Sequence, residues 1–169
     1  MSVLEKVYSL ETERIIWQYM ENEPRIQYIK MEENLGISGN SNRALQAAKG
    51  AYVALLDHDD VLTEDALYWV VDALQRERYD VVYSDEDRMA ENGSHYLEPR
   101  FKPEFDIDLL RAYNYISHLF VARRELMLAD GGFHSQYDGA QGYDMILRCC
   151  EGNREICHIP RVLYHKRIH

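Results

Sequence analysis

Four consecutive residues, Asp57-His58-Asp59-Asp60, close the apolar run AYVALL and put three carboxylates into one short span. If that run is a strand, Asp57 and Asp59 point to the same side, because strand side chains alternate. Two carboxylates so placed offer the hard oxygen ligands that Mg²⁺ or Mn²⁺ prefers, and they require no ligand role of His58. A solvated acidic turn that caps the next helix suits the same residues equally well, and Asp60 fits that cap. A second acidic group, Asp85-Glu86-Asp87, follows another strand candidate. It can face the same cleft, with Asp85 nearest the strand end, or it can simply face water.

Other residues carry chemistry singly. In GYDMILR, Asp144 falls in the first turn of a late helix, whose positive end favours a carboxylate. Such a group can take a proton from a hydroxyl that reaches it, and it can equally be an ordinary solvated helix start. Arg148, one turn on, can pair with Asp144 or Glu151. His165 stands among basic residues in VLYHKR, and no HExxH or tight histidine cluster exists elsewhere. In NLGISGNSN, Asn34, Gly36, Gly39, Asn40 and Asn42 can offer backbone donors and amides to an anion or sugar, or form a capping loop. The segment lacks the lysine and spacing of a phosphate loop. Thirteen tyrosines, with Trp17 and Trp69, suit sugar stacking or a packed core; Tyr115 and Tyr143 have the most suggestive neighbours.

These residues need a scaffold. Residues 25–84 read strand, helix, strand, helix, strand: Arg25–Lys30, a loop over 34–42, an alanine-rich helix over 43–49, AYVALL, a helix after Thr63, then 80–84. That order predicts an α/β fold with a mostly parallel sheet flanked by helices, and open α/β sheets bind ligands at the carboxyl ends of their strands. A helix over 9–21 precedes this run. Asp85–Asp87 reads as an acidic turn. Beyond it, a short helix over 106–112, a strand over 118–122, helices over 123–129 and 141–151, and a strand over 159–165 are expected.

The chain's 169 residues form a single domain, large enough to fold without staples. Apolar residues make up 46% and charged residues 28%, which excludes a disordered or fibrous chain. No run approaches the roughly 18 to 20 apolar residues of a membrane helix, and a cytoplasmic setting is expected. Cys149, Cys150 and Cys157 have no CxxC spacing and read as reduced and buried. The net charge of -10 concentrates in residues 61–110, with 13 acidic groups against 5 basic ones. That acidic middle disfavours nucleic acid as a partner.

Taken in order, NLGISGNSNRALQAAKGAYVALLDHDD, YSDED, FKPEF, NYISHLFVARREL, QGYDMILR and IPRVLYHKR resemble a family-2, GT-A-type glycosyltransferase of the bacterial polysaccharide-forming branch. The resemblance implies a partial GT-A fold and metal-dependent, inverting transfer of a sugar from a nucleotide-sugar donor. The acceptor would be a saccharide or lipid-linked saccharide, and the cofactor Mn²⁺ or Mg²⁺. By the same resemblance Asp57, Asp85 and Asn42 would lie at the donor, Asp59 and His165 would hold the metal, and Asp144 would be the base. Tyr115 and Tyr143 remain candidates for the acceptor. Lys166 stands where relatives often carry Trp between the terminal histidine and arginine.

Members of that family begin with a strand, helix and second strand, and here only one helix and one strand precede the N-x-G loop. The chain therefore reads as N-terminally shortened, with an exposed sheet edge that self-association or local rearrangement would cover; peripheral association at the inner face of a membrane is a further expectation. A noncatalytic carbohydrate- or protein-binding remnant and another metal-dependent nucleotide transferase are the competing functions.

Overall fold

The computed structural model describes residues 2, 3, 10–129 and 131–168. In chain order the elements are β1 (Ser2–Val3), α1 (Leu10–Asn22), β2 (Gln27–Tyr28), α2 (Gly36–Ala47), β3 (Tyr52–Leu55), β4 (Val61–Leu62) and α3 (Ala66–Arg76). Then follow β5 (Val81–Met89), β6 (Tyr96–Arg100), α4 (Ile107–Ala112), β7 (Phe120–Arg123), α5 (Arg124–Ala129), a 3-10 turn (Ser135–Tyr137), α6 (Gln141–Cys150) and β8 (Ile156–Arg167).

The main sheet runs β3-β7-β5-β8-β4, with β6 paired to β5, while β1 and β2 form a separate two-stranded sheet. The class is α/β as expected, but the main sheet is mixed and mostly antiparallel. Within it only β5 and β8 pair in parallel; β3–β7, β7–β5, β8–β4 and β5–β6 are antiparallel. The physical reason is insertion. A strand–helix–strand order makes β3 and β5 run the same way, yet it does not make them neighbours. β7 enters between them from later in the chain and pairs antiparallel with both.

Period-two alternation along β5 divides the core between the two faces of the sheet. Val81 and Tyr83 face Leu110, Leu126, Met127, Met145, Ile146, Cys149 and Cys150 from α4, α5 and α6. Val82 faces the opposite way, with Val121, Ile159, Leu163 and Tyr164, onto Ala66, Val70 and Ala73 of α3. The three cysteines are free; Cys149 and Cys150 are buried and Cys157 is half-buried.

Two local expectations change. The loop over 34–42 is helical from Gly36, its entry turned by Asn34, whose Oδ1 accepts the Gly36 N–H at 3.2 Å. The acidic turn at 85–87 is the continuation of β5, with Asp85, Glu86 and Asp87 only 3%, 3% and 8% exposed. A solvated reading of that cluster is therefore overturned. Local polarity suggests water, but each carboxylate meets a cation or histidine brought from elsewhere in the chain.

Candidate active site

The DHDD segment leaves β3 at its carboxyl end and is fastened to the end of β8. The Tyr164 hydroxyl donates to Asp60 Oδ2 at 2.6 Å and accepts the Asp57 N–H at 3.3 Å. The Arg167 N–H donates to Asp60 Oδ1 at 2.8 Å, and Arg167 Nε donates to the Asp59 carbonyl at 2.8 Å. Both oxygens of Asp60 are thus engaged by β8, so Asp60 anchors the loop and does not cap α3. Asp65 stands at the start of that helix instead. Its carboxyl is held below the ordinary aspartate range by the Trp69 indole and the Thr63 hydroxyl.

With Asp60 committed, Asp57 and Asp59 keep side chains 57% and 31% exposed. Asp57 Oδ2 lies 3.5 Å from His118 Nε2, and Asp59 Oδ1 lies 3.9 Å from His58 Nδ1. His118 stacks on Tyr164 at 4.6 Å between centroids, nearly parallel. Burial holds its ring below the usual histidine range, against the pull of the Asp57 carboxylate.

A buried polar layer supports this corner. Asp85 Oδ1 accepts the Lys102 N–H at 2.8 Å and lies 2.8 Å from His158 Nε2. Glu86 accepts the His118 N–H at 3.1 Å and pairs with Lys102 Nζ at 3.4 Å and Arg100 at 3.6 Å. Lys102 Nζ also donates to the carbonyls of Ile116, at 2.6 Å, and His118. Burial brings the Lys102 ammonium down to about 8, opposed by the Glu86 charge. Asp87 Oδ1 lies 2.6 Å from His165 Nδ1, and Tyr96 stacks on the His165 ring at 4.1 Å.

Asp144 belongs to a second group. Arg148 Nε and one terminal nitrogen reach its Oδ2 at 3.1 and 2.7 Å, and His134 Nδ1 reaches the same oxygen at 3.6 Å. The same terminal nitrogen of Arg148 donates to the Gly132 carbonyl at 2.7 Å. Asn42 grips the next residue: its Nδ2 donates to the Phe133 carbonyl and its Oδ1 accepts the Phe133 N–H, each at 2.7 Å. A surface depression of about 580 Å³ beside them is lined by His134, Arg148, Glu151, Gly152 and Arg154.

The fold therefore holds Asp57 against Tyr164 and His118, ties the Asp59 backbone to Arg167, seats His165 on Asp87 and Tyr96, and joins Asn42 to Asp144 through the 132–134 segment. Tyr115 is buried, its hydroxyl accepting the Asp106 N–H at 2.9 Å, and the Tyr143 hydroxyl donates to the Leu110 carbonyl. Lys102, His118, His158 and Tyr164 were not singled out by sequence. Each gains its meaning from a partner 16 to 107 residues away, although FKPEF and NYISHLF had marked the segments that carry two of them. Among the described residues no three of His, Cys, Asp and Glu already converge as a metal cage. The carboxylates of Asp57 and Asp59 and the His165 imidazole fit Mn²⁺ or Mg²⁺ in donor type alone. No helix among the described residues is long and apolar enough to cross a membrane.

The sequence model described as glycosyl transferase family 2 matches residues 9–129. The chain belongs to glycosyltransferase family 2. Over 155 residues this family-2 domain is 36% identical to the O-antigen biosynthesis protein RfbC of Myxococcus xanthus, covering 91% of this chain and 12% of that protein. It spans less than a fifth of the length of RfbC and of a further relative from Sinorhizobium fredii, to which it is 42% identical over 160 residues. Among solved structures, S. aureus TarS in complex with UDP matches with a TM-score of 0.78 and 19% identity, over 99% of this chain and 50% of that one. The mannosyltransferase PcManGT of Pyrobaculum calidifontis, in complex with GDP-Man and Mn²⁺, matches with a TM-score of 0.69 and 19% identity, over 98% and 46%. These likenesses fix the fold: a GT-A-type α/β domain with a mixed sheet.

Proposed function

We propose that this domain transfers a sugar from a nucleotide-sugar donor to a hydroxyl of a saccharide or lipid-linked saccharide, with inversion at the anomeric carbon. The observation that carries the reading is the fastening of the DHDD segment to β8, which uses both oxygens of Asp60 as the anchor and sets Asp57 and Asp59 at the carboxyl end of β3. In a family-2 domain, that is where a donor diphosphate is expected. Asp59 and His165 would hold Mn²⁺ or Mg²⁺, with Asp57 and Asp85 toward the donor sugar. A bound divalent cation supplies neutralisation of the charge that builds on the departing nucleoside diphosphate.

The residues of the chain account for the remaining steps. Arg148 and His134 crowd Asp144 Oδ2 and fix the carboxylate, while Oδ1 carries no hydrogen bond among the described residues. Asp144 Oδ1 takes the acceptor hydroxyl proton as that oxygen attacks opposite the leaving group. No covalent sugar–enzyme intermediate forms, and the single displacement inverts the anomeric centre. TarS with UDP and PcManGT with GDP-Man support the donor class without choosing the nucleotide.

The first test is calorimetric titration with UDP- and GDP-sugars, with and without Mn²⁺. Metal-dependent binding that Asp59→Ala abolishes is expected. Binding that needs no metal and is unchanged in Asp59→Ala would falsify the metal reading. A noncatalytic carbohydrate-binding role has one observation in its favour, the grip of Arg148 on Asp144, and it predicts donor or glycan binding without turnover.

A further inference from the structure

His165 and Asp87 are register partners on the parallel strands β8 and β5. Nδ1 and Oδ1 lie 2.6 Å apart, and the Tyr96 ring lies over the imidazole at 4.1 Å and 25°. The two residues are only 7% and 8% exposed, so the ring is held from its edge and its face at once. A neutral imidazole carries one N–H and one lone pair, whereas an ionised carboxylate only accepts. Asp87 therefore draws the proton to Nδ1 and leaves the lone pair on Nε2. That nitrogen has no hydrogen-bond partner among the described residues and is not sealed from solvent. Arg167 lies two residues further along β8 and so on the same side of the strand, and its Nε reaches the Asp59 carbonyl. The Asp59 backbone is thus tied to the end of the strand that carries His165.

From this arrangement we infer that Asp87 is a positioning residue for the cation site: it fixes the Nδ1–H tautomer and the ring orientation of His165, so that Nε2 is the ligand atom. A carboxylate or carbonyl behind a metal-binding imidazole commonly plays this part, and its loss costs roughly 10- to 100-fold in metal affinity. The inference rests on the proposed metal role of His165. It adds to that role the ligating atom and the residue that sets it, and it gives the YSDED acidic cluster a function that differs residue by residue. Asp85 and Glu86 take Lys102, His158 and the His118 backbone. Asp87 takes His165.

Two measurements test it. In metal-free wild-type protein, ¹⁵N-resolved spectra of the neutral His165 ring are expected to show a protonated Nδ1 and an unprotonated Nε2; the opposite tautomer overturns the inference without any variant. Mn²⁺ affinity, read by electron paramagnetic resonance without substrate, is expected to fall roughly 10- to 100-fold in Asp87→Asn and at least as far in His165→Ala. If His165→Ala loses Mn²⁺ while Asp87→Asn binds it as the wild type does, the positioning role fails and the metal reading stands. If His165→Ala binds Mn²⁺ unchanged, the metal role of His165 fails and the inference goes with it.

Discussion

Lys102 sits with its side chain 4% exposed and its ammonium shared among Glu86 and two backbone carbonyls. Taking that charge out of water lowers the group from 10.5 in the unfolded chain to about 8. Between those values the unfolded chain binds more protons, so this contribution to stability is lost as pH falls through about 8 and grows as pH rises toward 10.5. From pH 7 to pH 9 it amounts to about 1 kcal/mol. Lys102→Met is expected to cost roughly 3 kcal/mol at pH 7, because Glu86 and the carbonyls lose their partner. The gap should widen by that further increment at pH 9, measured by urea unfolding of both proteins. Going no higher than pH 9 matters, since burial raises Tyr83, Tyr115, Tyr164 and Cys150, and these pull stability the other way at higher pH. Asp144 gives the second prediction at this scale. Asp144→Asn keeps the shape and the Arg148 contact but cannot take a proton. Sugar transfer is expected to drop by roughly 10²- to 10⁴-fold with donor affinity within a few fold of wild type. Transfer at the normal rate would remove Asp144 as the base.

Elements are joined here by short polar clamps more than by caps. Asn42 on α2 holds the Phe133 backbone with both ends of its amide, and Gly132, at φ +76°, lies so close that an added Cβ would stand 2.2 Å from Asn42 Oδ1. Asn42→Ala strands one N–H and one carbonyl, a cost of about 1–3 kcal/mol. Gly132→Ala adds left-handed backbone strain to a steric clash and is expected to lower the melting temperature at least as far. Because the same segment carries the Gly132 carbonyl that Arg148 binds, both variants should also disturb Asp144. The check is calorimetry of the two variants beside transfer assays. An Asn42→Ala protein with wild-type melting would contradict the clamp. The sequence makes Asn42 conspicuous, but by itself the asparagine suits a ligand loop or a capping loop, and its partner Phe133 lies 91 residues away.

At the scale of the whole molecule, β5 is the hub: it pairs with β6, β7 and β8, and core clusters cover both its faces. Native-state hydrogen exchange should find the β5 and β8 amides slowest, and β3, β4 and the exposed edge strand β6 fastest among the strands of the main sheet. Equal protection across the sheet would contradict this order. The amino-acid sequence by itself determined the α/β class, most helices, the strand leading into DHDD and the ordered motifs of a family-2 glycosyltransferase, because these depend on local periodicity and short-range chemistry. Long-range packing alone puts β7 between β3 and β5, makes Asp60 the anchor of the DHDD segment, and turns Asp85–Asp87 into the continuation of a buried strand. Those outcomes depend on partners such as His158, Tyr164 and His165, 73 to 107 residues from the groups they touch. An isolated run of carboxylates reads as solvated because ions are costly to bury. It becomes an interior strand only when the rest of the chain brings the opposing charges and histidines to meet it.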